Sequence, residues 1–226
     1  MAPSQQKKAP WIVVTGMDGS GTSTLQTNLV EALKKDGSVF AFHVAYSDFV
    51  IPSLGNISLN NTPVDDPYTE RLLFALDARL TNYRLIEWRN KHDFVVSARG
   101  WMDAFIYGAA QKFSYQQTAD LLKINELEKP SAIIYLTCDI EVVLQRMKRQ
   151  PRMPQKEAVQ KYETAEFLTQ LRANILDFIQ STKERDPALQ AFSDIPQLHL
   201  DTSNSDIQAV SKSALSFLHS GLNTPL

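Results

Sequence analysis

The stretch Trp11-Ile12-Val13-Val14-Thr15-Gly16-Met17-Asp18-Gly19-Ser20-Gly21-Thr22-Ser23-Thr24 decides the fold. Its first five residues are a short β-branched run suited to a buried strand. Beyond it, Leu25, Leu29, Ala32 and Leu33 recur at helical spacing, with Gly37 placed as a C-terminal stop. The segment reads strand, glycine-rich turn, helix. Only 8 of 226 residues are glycine, well below the usual ~7%. Gly16, Gly19 and Gly21 nevertheless cluster in that one turn, where backbone is expected to approach a ligand closely. A loop that wraps phosphates needs Gly, four residues, Gly, Lys, then Ser or Thr, between a strand and a helix. Gly16, Gly21 and Ser23 fill their places, and Thr22 stands where the lysine belongs. The amides of residues 19–24 (Gly19, Ser20, Gly21, Thr22, Ser23 and Thr24) are then expected to form an anion cradle at a helix N-terminus.

Outward from this segment the alternation repeats. Val39 to Val44 reads as a second strand, and residues 45–67 as a loop containing Pro52, Gly55, Pro63 and Pro67. A long helix is expected from about Tyr68 to Asn90, with Leu72, Leu73, Leu76, Leu80 and Tyr83 on one face. Phe94 to Val96 is a third strand, and two helical stretches follow between Met102 and Leu127. Ala132 to Leu136 is a strong strand. A helix from Ile140 to Lys148 leads into the basic segment Lys148-Arg149-Gln150-Pro151-Arg152. A long helix over Gln155–Ile179, a strand over Gln197–Leu200 and a helix over Asp206–Leu218 close the chain. Short strands alternating with helices imply a parallel sheet covered on both faces. The fold class is α/β, with residues 1–10 as a disordered tail and 11–226 as one domain.

Composition narrows the function classes. With 23 Lys+Arg against 25 Asp+Glu, the net charge of −2 argues against a nucleic-acid coat protein or a polybasic membrane binder. The single cysteine, Cys138, rules out a disulfide framework or a multi-cysteine metal site within one chain. No apolar run approaches the roughly 20 residues that span a bilayer, and the first ten residues lack a secretory apolar segment. An intracellular, cytoplasmic protein is expected. The four histidines are scattered without ligand spacing, and Cys138 reads as a small buried apolar group.

Further motifs carry a family resemblance. Asp18 lies inside the glycine-rich turn, Leu72-Leu73-Phe74-Ala75-Leu76-Asp77 falls on the long helix, and Ser97-Ala98-Arg99 follows the third strand. Pro130 to Leu136 precedes Asp139 and Glu141, and Lys161-Tyr162-Glu163 and Leu200-Asp201-Thr202-Ser203 come later. In this order the chain resembles the thymidylate kinases, P-loop nucleoside monophosphate kinases, from Trp11 to about Val210. The resemblance implies a five-stranded parallel sheet with a short lid segment. It also implies transfer of the γ-phosphoryl group of ATP to dTMP, with Mg²⁺ as cofactor, in a homodimer. ATP is expected on residues 16–24, with Mg²⁺ on Ser23. The nucleoside monophosphate is expected against Asp18, Phe74, Arg79, Arg99, Tyr107 and Tyr162. Arg99 suits the acceptor phosphate through its planar fork, and Arg146, Arg149 and Arg152 are the mobile cations expected to close over the transferring group.

Three departures from the family pattern stand out. Thr22 replaces the loop lysine, a deficit that the lid cations Arg146, Lys148, Arg149, Arg152 and Lys156 are expected to offset. Ala98 replaces the aspartate of an Asp-Arg pair, with Asp103 the one carboxylate nearby in sequence. Ala78 stands where a base-pocket arginine is expected, and Arg79 comes one position later, rotated about 100° on a regular helix. A nucleotide-binding pseudokinase, or a kinase for another or modified monophosphate, are the alternatives these departures leave open.

Overall fold

The computed structural model describes residues 8–44, 66–149 and 164–222. Five strands, β1 (Trp11–Gly16), β2 (Val39–His43), β3 (Phe94–Ala98), β4 (Ala132–Thr137) and β5 (Gln197–Asp201), form one sheet in the order β2-β3-β1-β4-β5. Every adjacent pair is parallel. The expected five-stranded parallel sheet is therefore present. β1 lies between β3 and β4, so the order reverses there, and the carboxyl end of β1 opens at the crevice where such sheets take ligands.

Seven helices are seen among the described residues: α1 (Thr22–Leu33), α2 (Pro67–Lys91), α3 (Trp101–Ala110), α4 (Tyr115–Leu122), α5 (Ile140–Arg149), α6 (Ala165–Lys183) and α7 (Ile207–Gly221). Short 3₁₀ turns lie at Ile124–Glu126 and Pro187–Phe192; the second carries no helical periodicity that would announce it in the sequence. Alternate strand residues feed two cores. Trp11, Val13, Val95, Ile133 and Tyr135 pack with Phe105 of α3 and with Leu171, Ile175 and Phe178 of α6. Ile12, Val14, Val96, Ile134 and Leu136 face the other way onto Leu25 and Leu29 of α1 and Ala214 and Leu218 of α7. Strands buried on both faces need continuous apolar runs, and β1 and β4 supply them.

Two expectations change here. Residues 8–10 belong to the fold rather than to a tail. Ala9 is buried, its amide donates to the Arg89 carbonyl at 2.8 Å, and its carbonyl accepts from Arg89 Nε at 2.8 Å. Helix α2 also turns the opposite face inward from the one its leucines suggest. It buries Glu70, Arg71, Asp77 and Thr81 with Ala75, Ala78 and Leu85, while Tyr68, Leu72, Leu76 and Tyr83 stay exposed. The expected helix over 155–179 is described only from Ala165, and the loop over 45–65 and the segment 150–163 lie outside the described residues. No helix among the described residues is long and apolar enough to cross a membrane.

Candidate active site

The turn between β1 and α1 forms one wall of a cleft of about 670 Å³, lined by Asp18 to Leu25, Arg99, Arg146, Met147 and Thr202 among others. The Ser20 amide and hydroxyl both go to the Met17 carbonyl, at 3.1 and 2.6 Å, which tightens the turn. Ser20 thus pins the loop from within, and its amide is withdrawn from the expected cradle. The amides of Thr22, Ser23 and Thr24 open α1, where a helix has no carbonyl of its own to receive them. They are left to an anion, which the helix dipole also favours. Thr22 is nearly buried, whereas Ser23 and Thr24 are exposed.

Arg99 joins this loop to the other half of the site. It leaves the end of β3 with φ 71°, a left-handed backbone that costs a side-chain-bearing residue roughly 1–2 kcal/mol. Neighbouring bonds hold it there. Its amide donates to Val14 at 2.9 Å, and its carbonyl accepts from Ser97 Oγ at 2.9 Å, a hydroxyl that in turn accepts from Trp11 Nε1. The guanidinium is thereby turned back across the carboxyl end of β1. Nη1 donates to the Gly16 carbonyl and, at 3.0 Å, to Asp103 Oδ1; Nη2 donates to Asp18 Oδ1 at 2.8 Å. Burial works against the charge, but the carboxylates of Asp18 and Asp103 beside it hold the guanidinium protonated.

Asp103, the carboxylate nearest residue 98 in sequence, is bound to Arg99 and its surroundings. Its Oδ1 also accepts from Thr15 Oγ1 at 2.7 Å, and its Oδ2 accepts from the Gly100 amide at 2.8 Å, capping α3. Three of its bonds fix β1, the β3 exit and Arg99 together. The sequence held one signal for it: an Asp at the third position of a helix whose start follows a glycine.

On the α3 side, Arg99 lies over the Tyr107 ring at 5.5 Å. Burial raises the Tyr107 phenol above its ordinary range, so it stays neutral. Phe74 carries the guanidinium of Arg71 at 4.1 Å from its ring centre, and Arg71 lies 3.7 Å from Glu70. Gln111 donates to Glu70 at 2.6 Å, extending this buried polar set from α2 to α3. Arg71 was not foreseen, because a charged residue beside two leucines reads as a surface position.

The remaining expected residues divide. Arg146 reaches the cleft: Nη2 donates to the Thr202 carbonyl at 2.7 Å and Nη1 to the Gly19 carbonyl at 3.3 Å and to Cys138 Sγ at 3.4 Å. It stitches the end of β5 to the loop. Arg149 is exposed at the end of α5. Arg79 is carried elsewhere, onto Glu126 at 2.9 Å and the Leu122 carbonyl at 3.4 Å. Its position, one residue beyond the buried Ala78, turns it toward α4 and out of the described site. Arg152 and Tyr162 lie outside the described residues.

A buried strand ends in a phosphate-type loop, with an arginine folded back across it. The family model described as thymidylate kinase matches residues 14–200, most of the chain. The chain belongs to the thymidylate kinase family. Among solved structures, a thymidylate kinase from Candida albicans is similar with TM-score 0.69 and 19% identity, covering 94% of this chain and 92% of that one. At that identity the likeness speaks to the fold, which it supports over nearly the full length. That protein is described as having broad substrate specificity and a novel structural element. No curated protein sequence matches the chain. As a member of the thymidylate kinase family it is an ATP-dependent nucleoside monophosphate kinase that phosphorylates dTMP.

Proposed function

We propose that this thymidylate kinase carries out the transfer with Asp18, Arg99 and Tyr107 on the acceptor and the α1 N-terminus on the donor. The observation that carries this reading is Arg99, which touches the loop at Gly16, Asp18 within it, and the face of Tyr107. Phosphoryl transfer asks a protein for positioning and charge neutralisation rather than covalent chemistry. The amides of Thr22 to Thr24 receive donor phosphate oxygens, and the guanidinium fork of Arg99 holds the acceptor phosphate in line. Asp18 faces the acceptor's sugar, and Phe74 and Tyr107 give flat apolar surface for its base. Arg146, holding the loop to Thr202, shapes the donor end of the cleft.

Mg²⁺ fits the residues present. Ser23 is exposed at the cleft, and no group of three or more acidic, histidine or cysteine side chains among the described residues forms a metal cage. That donor set suits a cation that keeps several waters and takes its other ligands from substrate phosphates. Mg²⁺ held there would neutralise charge on the substrate phosphates during the transfer. Ser23 is the residue that would hold it. The exposed apolar stripe of α2 supports a homodimer, and ATP and dTMP as substrates fit a cytoplasmic enzyme.

The test is ADP release by purified protein with Mg²⁺-ATP and dTMP, dUMP, dCMP, dGMP or dAMP in turn. Turnover near ~1 s⁻¹ or above with dTMP, in the range of ordinary enzymes, is expected. Nucleotide binding without turnover on any acceptor would sink this reading.

A further inference from the structure

Glu70, Arg71 and Gln111 form a buried polar set between α2 and the end of α3, and none of them lines the cleft of the phosphate loop. Stability alone is a poor reason to bury such a pair, because apolar groups of similar volume often do as well or better. We infer that Arg71, held by Glu70 and Gln111, is a positioning residue that fixes the Phe74 ring for the base of the acceptor. The inference rests on the acceptor half of the function proposed above and names what sets one wall of that site.

The contacts form one chain from ring to ring. Glu70, Arg71 and Phe74 fall within an arc of about 100° on a regular helix, so all three point from the same side of α2. Arg71 is 2% exposed, and its guanidinium carbon lies 4.1 Å from the centre of the Phe74 ring. A cation over an aromatic face is attracted by the ring's quadrupole, most strongly where water is excluded. The acceptor base is then expected on the opposite face of Phe74. Glu70 divides its carboxylate: Oε1 lies 3.7 Å from Arg71 Nη2, and Oε2 accepts from Gln111 Nε2 at 2.6 Å. Gln111 ends α3, and its amide donates to the Tyr107 carbonyl at 3.3 Å. The Arg71 stem passes α3 one residue further on, where a Cβ added to Gly108 would stand 4.0 Å from its Cδ. The set therefore runs unbroken from the Phe74 ring to the backbone of Tyr107, the two aromatic residues proposed to flank the base. Stacking needs flat surfaces at a fixed separation, since dispersion contact falls off steeply as a gap opens. Each link in this chain holds one wall in place relative to the other.

The test titrates dTMP into the full chain by calorimetry without ATP, beside 2-deoxyribose 5-phosphate, which lacks the base. Arg71→Met keeps an apolar stem and removes the cation. It is expected to weaken dTMP by about 10-fold, the size of a lost aromatic contact. Affinity for 2-deoxyribose 5-phosphate and for a non-hydrolysable ATP analogue is expected to stay within about 2-fold of the parent. Arg71→Lys returns a cation to the ring, and its dTMP affinity is expected within about 2-fold of the parent. Because Arg71→Met leaves the Glu70 carboxylate buried beside no cation of its own, Glu70→Gln combined with Arg71→Met removes both charges and guards against misfolding. This double variant is expected to melt no lower than the parent and still to bind dTMP about 10-fold more weakly. Equal losses for dTMP and 2-deoxyribose 5-phosphate would reduce the set to packing and overturn the inference. So would full dTMP affinity in the double variant, or a lysine at 71 that restores nothing. Binding is read without transfer, so a parent that binds dTMP but never turns it over would sink the proposed function and leave this inference standing. A parent that turns dTMP over, with an affinity indifferent to Arg71, would do the reverse.

Discussion

Arg99 is held by a carboxylate four residues along the chain, and the cost of losing that hold can be stated. Its bridge to Asp103 is largely withdrawn from water, with side chains 11% and 12% exposed. Breaking such a pair leaves a buried charge unpaired, so Asp103→Ala is expected to cost about 3 kcal/mol. Thr15 and the Gly100 amide lose their acceptor in the same change. Urea unfolding of parent and variant measures it, and a loss under about 1 kcal/mol would mean water replaces the carboxylate. Two loop glycines separate close approach from conformation. A Cβ on Gly16 would run into the Leu136 carbonyl of β4, which cannot yield without moving a central strand. A Cβ on Gly21 meets nothing within 4 Å, but its φ of +100° strains any other residue. Gly16→Ala is expected to cost about 3 kcal/mol or more, and Gly21→Ala about 1–2 kcal/mol. Thermal melts that rank the two the other way would refute this account of the loop.

Helix α2 is the element whose reading changed most. Its leucines gave a one-sided pattern, and the natural inference was that this side met the core. The packed structure instead buries Glu70, Arg71, Asp77 and Thr81, the first two within the polar set beside Phe74. Tyr68, Leu72, Leu76 and Tyr83 lie within an arc of about 80° on a regular helix, exposed by 55%, 44%, 41% and 74%. An exposed apolar stripe of that kind suits the homodimer contact proposed above, and it runs along the side of α2 away from Glu70, Asp77 and Thr81. Leu76→Glu is expected to convert a dimer into a monomer in sedimentation velocity, with α-helical circular dichroism retained. A parent that sediments as a monomer at tens of micromolar would reject the dimer. By contrast, Leu85 on the inner side is fully buried, and Leu85→Ala is expected to cost about 2–5 kcal/mol in the same urea assay.

At the scale of the whole molecule, a site built from β1, β3, α1, α3 and the end of β5 couples nucleotide binding to global stability. A ligand at 100 times its Kd adds about 2.7 kcal/mol, which for a chain of this length raises Tm by roughly 5–10 °C. Mg²⁺-ATP is expected to give that shift and EDTA to remove most of it; calorimetric scans with no shift would show that the nucleotide does not bind the folded chain. The sequence by itself determined the α/β alternation, the strand–loop–helix at residues 11–33 and the use of that loop for phosphate, because those features are written in short-range periodicity and in one contiguous motif. It also marked Asp18, Ser23, Phe74, Arg99, Tyr107 and Arg146 as candidates through local motifs; of these, Asp18, Ser23, Arg99 and Arg146 line the cleft, and Tyr107 meets Arg99. Only the tertiary structure decided which way α2 faces, that Arg79 leaves for Glu126, that Asp103 holds Arg99, and that Arg99 folds back onto Gly16 and Asp18. The reason is physical. A one-residue step turns a side chain about 100° around a helix, and the partners that fix Arg99 come from positions 16 and 18, more than eighty residues away. Local pattern carries neither the rotation of a packed helix nor the meeting of groups so far apart along the chain.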